Sequence, residues 1–128
     1  IMAAPNIVNV TTITGKTAYA TPSNTTENVL LANPASSGKV FKINQIVAAN
    51  VDGTNAVDTT VAYNTADGGT SDGGTSYAIA STISVPADAS LIVADKTTAI
   101  YLEEDRSIVV TSGTASKIAY TISYEEIS

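Results

Sequence analysis

An antiparallel β-sandwich, jelly-roll-like or immunoglobulin-like, is the fold class that three features of this 128-residue sequence predict. Its apolar residues are mainly Val, Ile and Ala, with one Phe and no Trp, and Thr and Ser fill much of the rest. β-Branched side chains fit a pleated, half-buried surface. Apolar residues recur with a period of two, and no segment of useful length has helical periodicity. Turn signals punctuate the chain every 8–15 residues or so, the rhythm of short strands in a sandwich or barrel. A parallel sheet would need crossover helices, for which there is no pattern. The length fits one domain over residues 1–128.

Ile1 precedes Met2, the expected natural start, and residues 1–6 read as an arm or a remnant. Residues 7–13 and 16–20 have strand character, and 27–32 is the next candidate. Asn33-Pro34 through Gly38 is a loop before a long strand at 39–51. There Phe41, Ile43, Val47, Ala49 and Val51 share one face, Gln45 interrupts it and Ile46 lies on the other. A bulge or bend near Gln45 is expected. Asp52-Gly53 turns the chain into a strand where Val57, Thr59, Val61 and Tyr63 alternate. Asp67-Gly68-Gly69-Thr70 is repeated as Asp72-Gly73-Gly74-Thr75. With its glycines and no evident apolar anchor, this stretch is expected to be a flexible loop. Shorter strands follow at 77–85, 90–94, 98–102 and 107–111, with breaks at Val85-Pro86-Ala87-Asp88, Glu103-Glu104-Asp105 and Ser112-Gly113. The clearest strand is 117–124: Ile118, Tyr120, Ile122 and Tyr124 face one way, and Lys117, Ala119, Thr121 and Ser123 the other.

Charge excludes several partners. The net charge is −6, and residues 1–64 balance Glu27, Asp52 and Asp58 against Lys16, Lys39 and Lys42, so the excess lies in 65–128. Six scattered bases make no basic patch for nucleic acid or for a membrane surface. No run of 18 apolar residues and no signal-peptide pattern is present. Zero Cys removes disulfides and thiolate chemistry. Zero His removes the commonest general base and zinc ligand, and with it a Ser-His-Asp triad.

Paired carboxylates are the remaining enzymatic option, at Glu103-Glu104-Asp105 and Glu125-Glu126. Neighbours in a strand point to opposite faces, so these acids read as a polar turn and the solvated end of the last strand. No catalytic residue and no cofactor is therefore expected. Calcium is the ion the loops would suit best, with Asp52, Asn55, Asp58, Asp67 and Asp72 as weak candidate ligands that match no fixed template. Tyr19, Tyr63, Tyr77, Tyr101, Tyr120 and Tyr124 divide between sheet packing and a conceivable glycan-binding face. Residues 6–13 are uncharged and β-branched, a template for pairing with another chain, which makes Ile7, Val8, Val10 and Ile13 interface candidates.

Several segments together resemble a family. They are Ser37-Gly38-Lys39-Val40-Phe41-Lys42-Ile43, Ile46-Val47-Ala48-Ala49-Asn50, Thr59-Thr60-Val61-Ala62-Tyr63, Ile83-Ser84-Val85-Pro86-Ala87, Ile100-Tyr101-Leu102-Glu103-Glu104 and Ile108-Val109-Val110-Thr111. The opening Met2-Ala3-Ala4-Pro5-Asn6-Ile7-Val8 joins them. The chain is similar to small virion-associated β-sandwich proteins of tailed phages, especially phages of marine cyanobacteria. The resemblance covers most of residues 2–128, with loose motifs. It implies location on a virion assembled in the host cytoplasm, and a homo-oligomer, for which a trimer is one expectation. The implied partners are its own copies and the major capsid protein or other virion proteins. A capsid decoration or cement role is the expectation; a tail, neck or fibre component and a carbohydrate-binding module touching host glycan are the alternatives.

Overall fold

The computed structural model describes residues 12–128. Among the described residues nine strands run in order: β1 (Ile13–Ala20), β2 (Asn28–Asn33), β3 (Val40–Asn50), β4 (Val57–Asn64), β5 (Ser76–Val85), β6 (Ser90–Ala94), β7 (Ile100–Leu102), β8 (Arg106–Ser112) and β9 (Ile118–Ile127). One short 3-10 turn, Thr70–Asp72, is the remaining regular element described. Among the described residues, no helix is long and apolar enough to cross a membrane.

The strands form two antiparallel sheets packed face to face. Sheet A has the order β1-β9-β3-β6, with β7 also pairing β3; sheet B has the order β2-β8-β4-β5. Leaving β7 aside, this interleaved order is that of a jelly roll, in which the chain crosses repeatedly between sheets. It separates the two expected sandwiches, because immunoglobulin domains distribute their strands differently. Strand β7 is an extra piece that completes the edge of β3 where β6 stops: Phe41, Lys42 and Ile43 face Leu102, Tyr101 and Ile100.

Of the strand expected at 7–13, residues 7–11 lie outside the described residues, and the break expected between 13 and 16 is absent. Strand β1 runs through Gly15 in unbroken register with β9, from Ile13 opposite Ile127 to Ala20 opposite Tyr120. Ile13 thus pairs within its own sheet, while Ile7, Val8 and Val10 lie outside the described residues.

Strand β3 has the bulge expected near Gln45. Its register against β9 shifts between Ile43 and Gln45. The extra residue inverts the alternation beyond it. Phe41 and Ile43 are buried, and so are Ile46, Ala48 and Asn50, whereas Val47 and Ala49 face outward and Val51 is exposed. The expected inner face of Val47, Ala49 and Val51 is therefore wrong: the face carrying Phe41 continues through Ile46.

The core closes between Phe41, Ile43, Ile46, Ile118, Tyr120, Ile122 and Tyr124 of sheet A and Leu31, Val57, Val61, Val85, Ile108 and Val110 of its neighbours. Phe41 and Tyr124 stack with ring centroids 5.1 Å apart. Tyr120 is fully buried and carries a polar tip into the core. Its hydroxyl donates to the Thr111 carbonyl at 3.0 Å and meets the Thr59 hydroxyl, so one side chain of sheet A is satisfied by two strands of sheet B.

Polar order at the loops comes from asparagines that end strands. Asn33, Asn50 and Asn64 are the last residues of β2, β3 and β4, and all three are buried. Asn50 donates to the carbonyls of Asn55 (3.0 Å) and Val85 (2.9 Å) and accepts the Asp52 amide at 2.8 Å. Asn33 donates to the carbonyls of Lys39 (2.9 Å) and Leu102 (3.0 Å).

Tyr120→Phe should cost about 1–3 kcal/mol in chemical denaturation, since it leaves the Thr59 hydroxyl and Thr111 carbonyl short of a partner in a dry site. A cost under about 0.5 kcal/mol would show that the sheets do not meet through this hydroxyl. Phe41→Ala should cost about 3–5 kcal/mol by the same measurement.

Candidate functional site

The two outer faces of the sandwich differ. Cross-strand partners point to the same side of a sheet, so the outward rows of sheet A follow from its register. One row runs Tyr19, Thr121, Val47, Ile92 across the sheet; another runs Gly15, Glu125, Lys42, Tyr101; between them lie Thr17, Ser123 and Gln45. Lys42 and Glu125, themselves cross-strand neighbours, are the charged residues at outward positions of these strands. Tyr19 is 79% exposed, Ile92 59% and Tyr101 40%. At the far end the face closes, because Val40 and Ile127 are buried at outward positions.

The bulge of β3 marks the middle of this face. A depression of about 570 Å³ there is lined by Asn44, Gln45, Ser123 and the β6–β7 turn residues Asp95, Lys96 and Thr97. Asn44 donates through Nδ2 to Glu125 Oε1 at 3.3 Å, which fixes its amide orientation. Its Oδ1 is shielded from solvent and has no hydrogen-bond partner among the described residues; the same holds for both carboxylate oxygens of Glu104. The turn opposite is held by Asp95, whose Oδ1 accepts the Thr97 amide at 3.0 Å and the Thr97 hydroxyl at 2.5 Å.

Sheet B is different: in its outward row Val29, Val109, Ala62, Ala78 the two central residues are buried, while Val29 and Ala78 at the ends are exposed. The segment from Thr65 to Thr75 folds over this row, with Gly69 against Val109 and Val29. The glycine-rich repeat is thus a packed strap, contrary to the flexible loop expected. Its anchors are Ala66, buried among its neighbours, and the Glu27 carboxylate, neither of which stood out in the sequence.

The five weak calcium candidates do not converge. Asp52, Asn55 and Asp58 sit at the start of β4, Asp67 and Asp72 beyond its end, with a strand of eight residues between. Asp52 Oδ1 is already taken by the amides of Thr54 (2.9 Å) and Asn55 (3.1 Å), which hold that carboxyl below its usual value. Asp67 accepts the Ala35 amide at 3.3 Å, and Asp72 packs against Gly68. Asp88 lies beside Gly53 in the Asp52 turn and donates its amide to the Asp52 carbonyl. Among the described residues, no group of three or more His, Cys, Asp or Glu is placed to hold a metal ion.

The acidic pairs also stay apart. Glu103-Glu104-Asp105 is the turn between β7 and β8. Glu125 points outward to Asn44, and Glu126 points to the other side, bridging Lys16 (3.2 Å) and Lys39 (3.4 Å). Both stand at the end of β9, as expected of the last strand, but they are half-buried and paired rather than freely solvated. The exposed tyrosines divide as well: Tyr19 is on the β1 edge of sheet A, Tyr101 is on the same outer face but at the β7 edge, and Tyr77 is on the β5 edge of sheet B.

No protein-family model matches this chain, and no curated protein matches it.

A calcium site at a hundredfold ligand excess would add about 2.7 kcal/mol of stability. Millimolar calcium should leave the melting temperature unchanged. A rise of several degrees that a chelator reverses would show that these loops hold the ion after all.

Proposed function

We propose that this chain is a non-catalytic structural protein of a virus particle, a decoration or cement protein that docks through the outer face of sheet A. The observation that carries this reading is the face itself: a strand-built surface with one cross-strand pair of opposite charges and exposed Tyr19, Ile92 and Tyr101. Aromatic and aliphatic side chains with few charges are what the buried centre of a protein interface needs.

Size sets the terms of docking. Four strands about 4.8 Å apart and some 30 Å long present roughly 500–600 Å² to a partner, so the total buried is near 1,000–1,200 Å². That is the lower bound of a specific interface, which suits a protein bound in many copies or as an oligomer, where linked contacts multiply weak ones. The resemblance to virion-associated proteins of tailed phages supports the particle as the setting. Jelly rolls build viral shells and also lectins, so the fold is compatible with this reading but does not select it.

One feature favours a second reading, a glycan-binding module. The depression at Asn44 brings amide, hydroxyl and charged groups together as both donors and acceptors. A tail, neck or fibre position would use the same outer face at a different place in the particle.

Quantitative mass spectrometry of purified particles from a phage encoding this chain separates these readings. A decoration protein should be present in hundreds of copies and a tail component in few; absence from the particle overturns the proposal. Ile92→Lys should change stability by no more than about 0.5 kcal/mol, as for an exposed site, yet abolish binding of the purified protein to particles that lack it. Unchanged binding would remove sheet A as the docking face, and binding to a glycan array would favour the module.

A further inference from the structure

The strap over sheet B is held at two places: Ala66 is fixed by its amide on Asn64 Oδ1 (3.0 Å) and by the Ser107 hydroxyl on its carbonyl (2.7 Å), and the stretch around Thr70 is held by Glu27. Glu27 precedes β2, while the strap leaves β4 at Asn64, so the two meet across the outer face of the sheet. Glu27 Oε1 accepts the Thr70 amide at 2.8 Å, and Oε2 accepts the hydroxyls of Thr70 and Ser76, each at 2.9 Å. Asn64 completes the cradle, donating to Ser76 Oγ at 2.8 Å and Thr70 Oγ1 at 3.2 Å. The glycine repeat is what this closeness requires. A Cβ on Gly69, whose φ is +78°, would come within 2.9 Å of Glu27 Oε1, and one on Gly74 would overlap Asn64 Oδ1.

We propose that residues 67–75 are a latched strap: the Glu27 carboxylate holds the stretch around Thr70 closed, and loss of that carboxylate's charge frees it and bares Val109 beside the already exposed Val29. All three groups bound to Glu27 can donate, and an ionised carboxylate accepts from all of them at once. A protonated one keeps fewer acceptor positions. Closed, the strap lies against Val109 and Val29; open, it joins them into a second apolar surface on the side opposite the proposed docking face.

Other charges around the latch are accounted for. Asp67 accepts the Ala35 amide, Asp72 packs on Gly68, and Arg106 donates to the carbonyls of Thr65 (3.1 Å) and Asp105 (3.0 Å). Among the described residues none of them forms an ion pair with Glu27. Partial burial raises the Glu27 carboxyl, but the hydrogen bonds from the Thr70 amide and the Ser76 and Thr70 hydroxyls outweigh it, leaving the group below its ordinary value of 4.5. With the folded value depressed, the latch contributes fully above the unfolded value and is lost as pH falls through the folded one. Opening therefore belongs to acid below about pH 4.5.

Amide hydrogen exchange tests the latch. In Glu27→Ala and Glu27→Gln at neutral pH, protection at Gly69, Thr70, Asp72 and Gly74 should fall about tenfold or more, with β3 and β9 unchanged. Wild-type protein near pH 3 should show the same local pattern, and a hydrophobic dye should bind the variants and not the wild type at neutral pH. If the strap amides stay protected in both variants, Glu27 is no latch. If strap and sheet amides lose protection together, the strap is an inseparable part of the sandwich, and the proposal fails as well.

Discussion

One extra residue in β3 decides what both sides of sheet A present. Side chains alternate with a period of two, so a single-residue shift of register moves every later side chain to the other face. At Asn44 that shift is built into the strand. It sends Ile46 and Ala48 into the core beneath the continuation of Phe41 and Ile43, and it turns Val47 outward beside Tyr19 and Ile92. Without the bulge, polar Gln45 would point into the core and Ile46 would be stranded outside. The same extra residue opens the depression in the outer face and leaves Asn44 Oδ1 without a partner. Bulges recur beside functional sites because they re-aim side chains in this way.

What the sequence conveyed followed from short-range pattern. Strand β9 was readable because Ile118, Tyr120, Ile122 and Tyr124 alternate without a break, and β4 for a similar reason. A bulge near Gln45 was visible as a disturbance, but not the phase after it, since an inverted face looks like an uneven one until the partner strand is known. Gly15 looked like a break and is not one, because pairing with β9 supplies the backbone bonds that an isolated glycine would weaken.

The candidate site was harder to read, for a physical reason. Glu27 meets Thr70 across 43 positions of chain, and Asn50 reaches the Val85 carbonyl across 35. Nothing local marks such a side chain as the one to which a distant segment returns. The glycine repeat was conspicuous but its meaning was inverted: glycine permits close packing as readily as it permits disorder, and an acceptor from elsewhere decided between them. Conversely, the Asp-rich segments looked like an ion site in sequence, yet β4 holds their two halves apart and backbone amides occupy Asp52. The N-terminal interface candidates Ile7, Val8 and Val10 lie outside the described residues, and Ile13 joins its own sheet.

The account therefore rests on an asymmetry: sheet A presents an open, charge-poor face, and sheet B lays a strap of its own chain over Val109 in the middle of its outer face. Hydroxyl-radical footprinting, free and particle-bound, reads that asymmetry side chain by side chain. The account predicts that Tyr19, Ile92 and Tyr101 lose reactivity on the particle while Tyr77 and Val29, on sheet B, keep theirs. Protection of Tyr77 and Val29 with Tyr19 and Ile92 still reactive would contradict it.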